Sequence, residues 1–309
     1  MNLRHLKIFQ DVAEAGSIRA AARGSKLTQP AMSYAIRELE QQVGATLFVR
    51  SITGVAPTPI GQALLRRARL LFNEVRRAED EIAQLREGAS GTLRVAFSSF
   101  ALARILPKAL LAFRASWPGV TLELQELSGP GVPGLWEQGH FDFAIVSELA
   151  TQADDGLDRE ALLEFPLSVL CAEGHPLARA RSFARLKDAL WAVPPYGAEL
   201  VRSEFAAVGI PAPRDMVICH SWQLGITLLR EAGALTIAAA TIMDSASTIQ
   251  GLTALSLGRK LPNVRMSLLM RDRNGLTPAA NAFVEDLRKV AGGLPVLRRL
   301  RGSTTAPTA

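Results

Sequence analysis

Two cysteines, Cys171 and Cys219, are all that 309 residues contain. That is too few for a disulfide framework and fits a reducing compartment. Both lie in apolar strand patterns with no Arg or Lys beside them, which argues against a reactive thiolate sensor. Four histidines are scattered without metal-ligand spacing. No GxGxxG opens a helix after a strand, and no GxSxG or phosphate-cradling P-loop occurs. No catalytic residue, metal site or cofactor is therefore assigned. No apolar run reaches the ~18 residues that a membrane-spanning helix needs. Arg4, His5 and Lys7 interrupt any secretory apolar segment at the start, so the expected location is the cytoplasm, with no membrane partner.

What the chain does contain is unevenly charged. The net charge is +6, with 48% hydrophobic and 21% charged residues, ordinary for a globular protein. Residues 1–69 hold ten Lys/Arg against four Asp/Glu, whereas residues 70–295 hold twenty-two against twenty-five. A basic block on a mildly acidic body suggests a polyanionic partner for the block, although many solvated surfaces are basic.

Helical spacing covers residues 3–15, with Leu3, Leu6, Phe9 and Ala13 on one stripe. Gly16 stops this helix, and Ser17 can cap a short one at 18–23. Residues 24–27 form a tight turn before Thr28 caps a third helix with Pro30 in its first turn. That helix runs to about Val43. Leu47–Arg50 and Val55–Thr58 flank Ser51–Gly54 as a small hairpin. From Ile60 to Leu85, apolar residues recur at 60, 64, 68, 71, 75, 78, 82 and 85, a coiled-coil seam. A regular seam of this length favours a dimerisation helix over a lone surface helix. After the flexible joint at 88–91, strand and helix patterns alternate, which predicts an α/β region with mainly parallel sheets. Strands are expected at 93–97, 120–126, 141–146, 167–171, 191–193, 216–219, 235–238, 252–257 and 265–270. Helices are expected at 101–115, 133–139, 200–208, 222–232, 240–247 and 277–291. The tail at 302–309 is expected to be disordered.

Residues 18–43 read as helix, turn, helix. Met32, Ala35, Ile36, Leu39 and Val43 form the inward face of the third helix. Gln29, Pro30, Ser33, Tyr34 and Arg37 form the outer one. Gln and Arg can make bidentate bonds to base edges, and Ser, Tyr and helix N-terminal amides suit phosphates. A packing unit with a polar outer face would show the same pattern. With the capping Ser17 and Thr28, and Arg50, Ser51 and Thr53 of the hairpin, these are the candidate DNA contacts.

In the second half, open α/β lobes bind ligands beyond the carboxyl ends of strands. Residues at such strand ends are Ser98, Ser99, Phe100, Ser128 and Ser147, then Pro195, Tyr196, His220 and Ser221; that they line an effector cleft is what the family resemblance given next implies. Ser98 and Ser99 could equally only cap a helix. His220 could be hydrogen-bonded structure, and Trp222 could stack on a ligand or fill the core.

The runs Ala20-Ala21-Ala22, Leu27-Thr28-Gln29-Pro30-Ala31-Met32-Ser33, Ile36-Arg37-Glu38-Leu39-Glu40 and Leu47-Phe48-Val49-Arg50, with Gly44, Thr58 and Gly61, resemble the signature of LysR-type transcriptional regulators. His175-Pro176-Leu177 and the late apolar strands also resemble that family, so the likeness covers nearly the whole chain. It implies a winged helix-turn-helix DNA-binding domain at 1–58 and a linker helix at 59–87. A periplasmic-binding-protein-like effector domain of two α/β lobes follows at 92–301, lobe I being 92–164 with 269–301 and lobe II 168–264. The chain would cross between lobes near Glu164–Ser168 and Arg265–Leu268. Gln29, Pro30 and Ser33 would face the operator, and Arg50 would support wing contacts. Where many relatives carry Arg, this chain has Tyr34, and Gly24 or Ser25 stands where they have a hydrophobic residue, so the resemblance carries over the docking mode and not the details of base preference. The implied partners are double-stranded operator DNA, a small-molecule effector, a second copy of the chain and a tetramer built from dimers, with RNA polymerase as a further candidate. A solute-binding module without specific DNA recognition, and an architectural protein without effector, are the competing classes.

Overall fold

The computed structural model describes residues 1–51, 54–87, 90–99, 101, 105–127, 141–149, 157–239 and 250–294, with Arg50, Glu87, Leu149 and Tyr196 as backbone alone. The helices expected at 133–139 and 240–247, the tail, and Thr53, Phe100 and Ser128 lie outside the described residues. The described chain divides into two compact units, one built on Met1–Ile82 and the other from Ala83 onward.

In the first unit, α1 (Leu3–Ala15), α2 (Ile18–Arg23) and α3 (Gln29–Val43) precede a hairpin of β1 (Phe48–Ser51) and β2 (Gly54–Pro57), then the long α4 (Pro59–Glu87). The apolar stripes read from the sequence meet in one core: Leu6, Phe9 and Val12 of α1 against Met32, Ala35, Ile36 and Leu39 of α3. Phe48 closes this core from the hairpin, its ring 5.0 Å from that of Phe9. Val43 does not join it; 37% exposed, it lies one turn beyond the last core contact. Two glycines lock the hairpin to the helices. Gly54 has φ 141°, and a Cβ there would fall on the carbonyl oxygen of Gly16, which accepts the Val55 N–H at 2.9 Å. A Cβ on Gly61 would fall on the carbonyl oxygen of Leu47, so only glycine lets α4 start this close to the hairpin.

The second unit has two lobes sharing long strands. Lobe I holds β3 (Thr92–Ser98), α5 (Leu106–Ser116), β4 (Thr121–Leu127), β5 (Phe143–Leu149), β11 (Asn263–Met270) and α8 (Pro278–Gly293). Lobe II holds β7 (Trp191–Val193), α6 (Pro195–Ala206), β8 (Met216–Ile218), α7 (Trp222–Glu231), β9 (Thr236–Ala239) and β10 (Leu252–Ala254). Rings anchor each lobe: Phe283 sits 4.9 Å from Phe113 and 5.9 Å from Phe143, and Trp191 sits 5.9 Å from Phe205. The sheets are mixed, not mainly parallel as alternation suggested. β3 is parallel to β4 and β5, but β11 runs antiparallel to β5 and to β6 (Asp158–Ala172).

The reason is β6 (Asp158–Ala172), which serves both lobes: its first half pairs with β11, and its second half pairs with β9 and β10. Only 167–171 was expected as strand; the half from Asp158 to Pro166 was not. Pro166 sits where β6 changes partners, and the next residue, Leu167, donates its N–H to Pro262 O at 3.2 Å. The first crossing thus falls at Pro166–Leu167. The return does not fall at Arg265–Leu268, because β11 is paired with β5 of lobe I from Val264 onward. It lies before Asn263.

One half-buried ion pair ties α8 to β6. Arg288 grips Glu160 through two bonds, 2.7 Å and 2.6 Å, and Arg273 adds a third at 2.8 Å. Hydrogen bonding from Arg288 holds the Glu160 carboxyl below its usual range and raises Arg288. A depressed carboxylate stabilises the fold above its unfolded pKa, and that stability is lost as pH falls through the folded value. Glu160→Gln is therefore expected to cost about 1–3 kcal/mol at pH 7. The gap between wild-type and variant melting temperatures should close as pH drops below about 4.

Candidate nucleic-acid interface and effector cleft

The α3 N-terminus is built to be presented. Thr28 Oγ1 accepts the Ala31 N–H at 3.4 Å, and Pro30 needs no partner in the first turn. Burial of Met32, Ala35, Ile36 and Leu39 turns the other face outward. At helical pitch Gln29, Ser33 and Arg37 align on one stripe, with Pro30 and Tyr34 beside it. Thr28, Gln29, Pro30, Tyr34 and Arg37 are exposed, and Ser33 is half-buried with its carbonyl accepting Arg37 Nε at 3.3 Å. Tyr34 is 60% exposed, an aromatic with no part in the core. Ser17 caps α2 through the Ala20 N–H, and Ser51 Oγ donates to Gly54 O at the hairpin end.

Three cations not singled out from the sequence also lie here. Arg19 and Arg23 of α2 and Lys26 of the turn are exposed and make no ion pair among the described residues. Their signal was present only as the bulk charge of the first 69 residues, because no periodicity distinguishes a phosphate-facing arginine from a solvated one.

In the sensor unit, Ser98, Ser99 and Ser147 come together at the carboxyl ends of the parallel trio β3, β4 and β5. Ser98 Oγ and Ser147 Oγ are 2.9 Å apart, and Ser99 donates to the carboxylate of Glu126 at the end of β4. Glu126 was missed; alternation along 120–126 marks it only as a strand residue. On lobe II, β7 and β8 are parallel and end in register at Val193 and Ile218, so Pro195 and His220–Ser221 share one end. Pro195 and Tyr196 belong to the first turn of α6, not to a loop before a helix at 200; proline preorganises that turn. His220 is exposed, and Ser221 caps α7 by accepting the Leu224 N–H at 3.3 Å. Trp222 is half-buried against the main core, which supports the packing role. His175, of the His-Pro-Leu run, is structural: Nδ1 accepts the Leu177 N–H, so Nε2 carries the proton it gives to Gly233 O at 2.9 Å. Both thiols are buried, and desolvation pushes Cys171 and Cys219 up, away from reactive thiolate.

A helix-turn-helix head with a wing, joined by a long helix to a two-lobed sensor, defines a ligand-responsive DNA-binding transcriptional regulator. Residues 3–62 match the family described as bacterial regulatory helix-turn-helix protein, lysR family, and residues 86–292 match the LysR substrate binding domain. The chain belongs to the LysR family, a family of transcriptional regulators. It is 25% identical to the HTH-type transcriptional regulator GbpR of Azospirillum brasilense over 93% of this chain and 86% of that one. It is 28% identical to the HTH-type transcriptional regulator GalR of Pseudomonas putida over 93% and 73%. The fold resembles the crystal structure of CbnR, a LysR family regulator, with TM-score 0.66 and 23% identity over 94% of this chain and 99% of that one. It also resembles full-length CbnR in complex with its target DNA, with TM-score 0.65 and 24% identity over 94% and 100%.

The paired hydroxyls of Ser98 and Ser147 should be energetically coupled. In a double-mutant cycle with Ser98→Ala and Ser147→Ala, followed by chemical denaturation, a coupling of about 0.5–1.5 kcal/mol is expected. Strict additivity would separate the two hydroxyls.

Proposed function

We propose that a dimer of this chain binds operator DNA through two α3 helices and that a small molecule bound at the strand ends of the sensor lobes alters transcription. The single observation that carries the DNA half is the outward stripe Gln29, Ser33 and Arg37, flanked by Pro30 and Tyr34, at the capped N-terminus of α3. Gln29 reads base edges in the major groove, while Ser33, Arg37, Thr28 and Ser17 contact phosphates. Arg50, Ser51 and Thr53 serve as the wing. Arg19, Arg23 and Lys26 add nonspecific phosphate attraction.

The seam of α4 supports the dimer. Its first part, Leu64 and Ala68, turns into the head's own core, but Leu71, Val75, Ile82 and Leu85 are 37%, 43%, 57% and 72% exposed. A second α4 covers such a stripe by knobs-into-holes packing. Further exposed apolar side chains favour pairing of dimers into a tetramer: Leu111 and Leu124 in lobe I, and Val217, Ile218 and Leu224 in lobe II. The effector touches Ser98, Ser99 and Ser147, together with Pro195, Tyr196, His220 and Ser221; Phe100 and Ser128 are carried into this set from the sequence alone. It works by binding one arrangement of the lobes better than another. The chain acts in the cytoplasm as a regulator without catalysis of its own, and RNA polymerase is the partner that reads the bound state.

The test is fluorescence anisotropy with DNA from upstream of its own coding region, across a salt series. Wild type should show a steep salt slope. Gln29→Ala should lose about 1–3 kcal/mol of specific affinity and keep weak nonspecific binding. Absence of DNA binding at every salt concentration would leave a solute-binding module.

A further inference from the structure

We propose that lobe II carries a second DNA contact, an arginine patch that holds the phosphate backbone beyond the half-sites read by the heads. The patch starts in the segment from Ala178 to Lys187, where four of ten residues are Arg or Lys and none is acidic. Ala180, Phe183 and Leu186 are buried at every third position, the last two on a turn of 3-10 helix, Phe183–Leu186. The Phe183 ring packs 5.2 Å from that of Phe205. With that side anchored, Arg179, Arg181, Arg185 and Lys187 are left exposed. A second segment joins them. The Gly258 N–H donates to Arg181 O at 3.0 Å, which brings the exposed Arg259 and Lys260 beside the first group.

Neighbouring carboxylates do not cancel this charge. Asp188 is 3.9 Å from Lys187, Glu204 is 2.9 Å from Arg259, and Glu164 lines the same opening as Lys260. Setting each of these carboxylates against one cation still leaves Arg179, Arg181 and Arg185. None of the three has an ion pair among the described residues. The surplus stands on an acidic body, since residues 70–295 hold twenty-two Arg and Lys against twenty-five Asp and Glu.

The chemistry of the patch selects a phosphate backbone over a protein. No large apolar side chain of these two segments is exposed, so a protein interface would have no apolar core here. Arginine forks match phosphate oxygens in geometry as well as in charge. Contacts of that kind position a duplex without reading its bases. The proposal rests on the reading of this chain as a DNA-binding regulator. Once a head is seated, the flanking duplex is tethered near the sensor at high effective concentration, and weak phosphate contacts then add to affinity.

Fluorescence anisotropy across a salt series is the test, with a mixed-sequence duplex of about 60 base pairs that runs past two half-sites. The full chain is compared with the patch variant Arg181→Ser/Arg185→Ser. A control variant, Lys108→Ser/Lys289→Ser, removes the same charge from exposed positions of lobe I. The patch variant should bind more weakly, with a slope of log affinity against log salt shallower by about 2. The control should keep the wild-type slope. Circular dichroism confirms that each variant is folded. A patch variant with the wild-type slope would overturn the proposal and leave the arginines as a solvated face. Equal shallowing in both variants would assign the effect to net charge and overturn it too. A wild type that binds no DNA at any salt concentration would remove the DNA-binding reading itself, and this proposal with it.

Discussion

A 29-residue helix that buries only part of its apolar seam governs how this protein is organised. At 1.5 Å per residue α4 is a rod of about 43 Å. Near its start, Leu65 and Ala68 complete the core of the DNA-binding head, and Arg69 reaches Glu14 of α1 at 3.4 Å. Near its end, the buried Gln84 accepts the Ala279 N–H at 3.0 Å at the start of α8. Between these anchors the apolar positions face water. Exposed leucine, valine and isoleucine in regular heptad register are costly in a lone chain, and this is the feature on which the proposed dimer rests.

Within the sensor, strand connectivity has a comparable role. β6 and the segment leading into β11 carry every covalent link between the lobes among the described residues. Any rotation of one lobe against the other must be absorbed there. Pro166 suits that place, since it sits where β6 exchanges partners and a missing N–H breaks no ladder. The Glu160–Arg288–Arg273 cluster and the Phe113–Phe283–Phe143 rings keep lobe I rigid up to the crossing. Packing of Trp191 and Phe183 about Phe205 does the same for lobe II.

The head was legible in the sequence almost residue by residue. Caps at Ser17 and Thr28, Pro30 at the helix start and the stripes of α1 and α3 are local signals, and the structure follows them. Strand positions in the sensor were also readable, because Trp191–Val193 and Thr236–Ala239 are compact apolar runs. Pairing was not. Whether β11 lies parallel or antiparallel to β5 depends on contacts between residues more than a hundred positions apart, which composition and periodicity do not encode. The same blindness hid Glu126: a charged residue takes its meaning from what lies opposite it in space. The first half of β6 was missed for a related reason: its place in the sheet comes from pairing with β11, far off in sequence.

The seam of α4 offers the most direct test of this organisation. Sedimentation equilibrium of the full chain at micromolar concentration, beside the double variant Val75→Asp/Ile82→Asp, measures whether the exposed stripe is an interface. A dimer or tetramer for wild type, with a smaller and still helical species for the variant, is the expected result. A monomeric wild type, or a variant that assembles as wild type does, would contradict it.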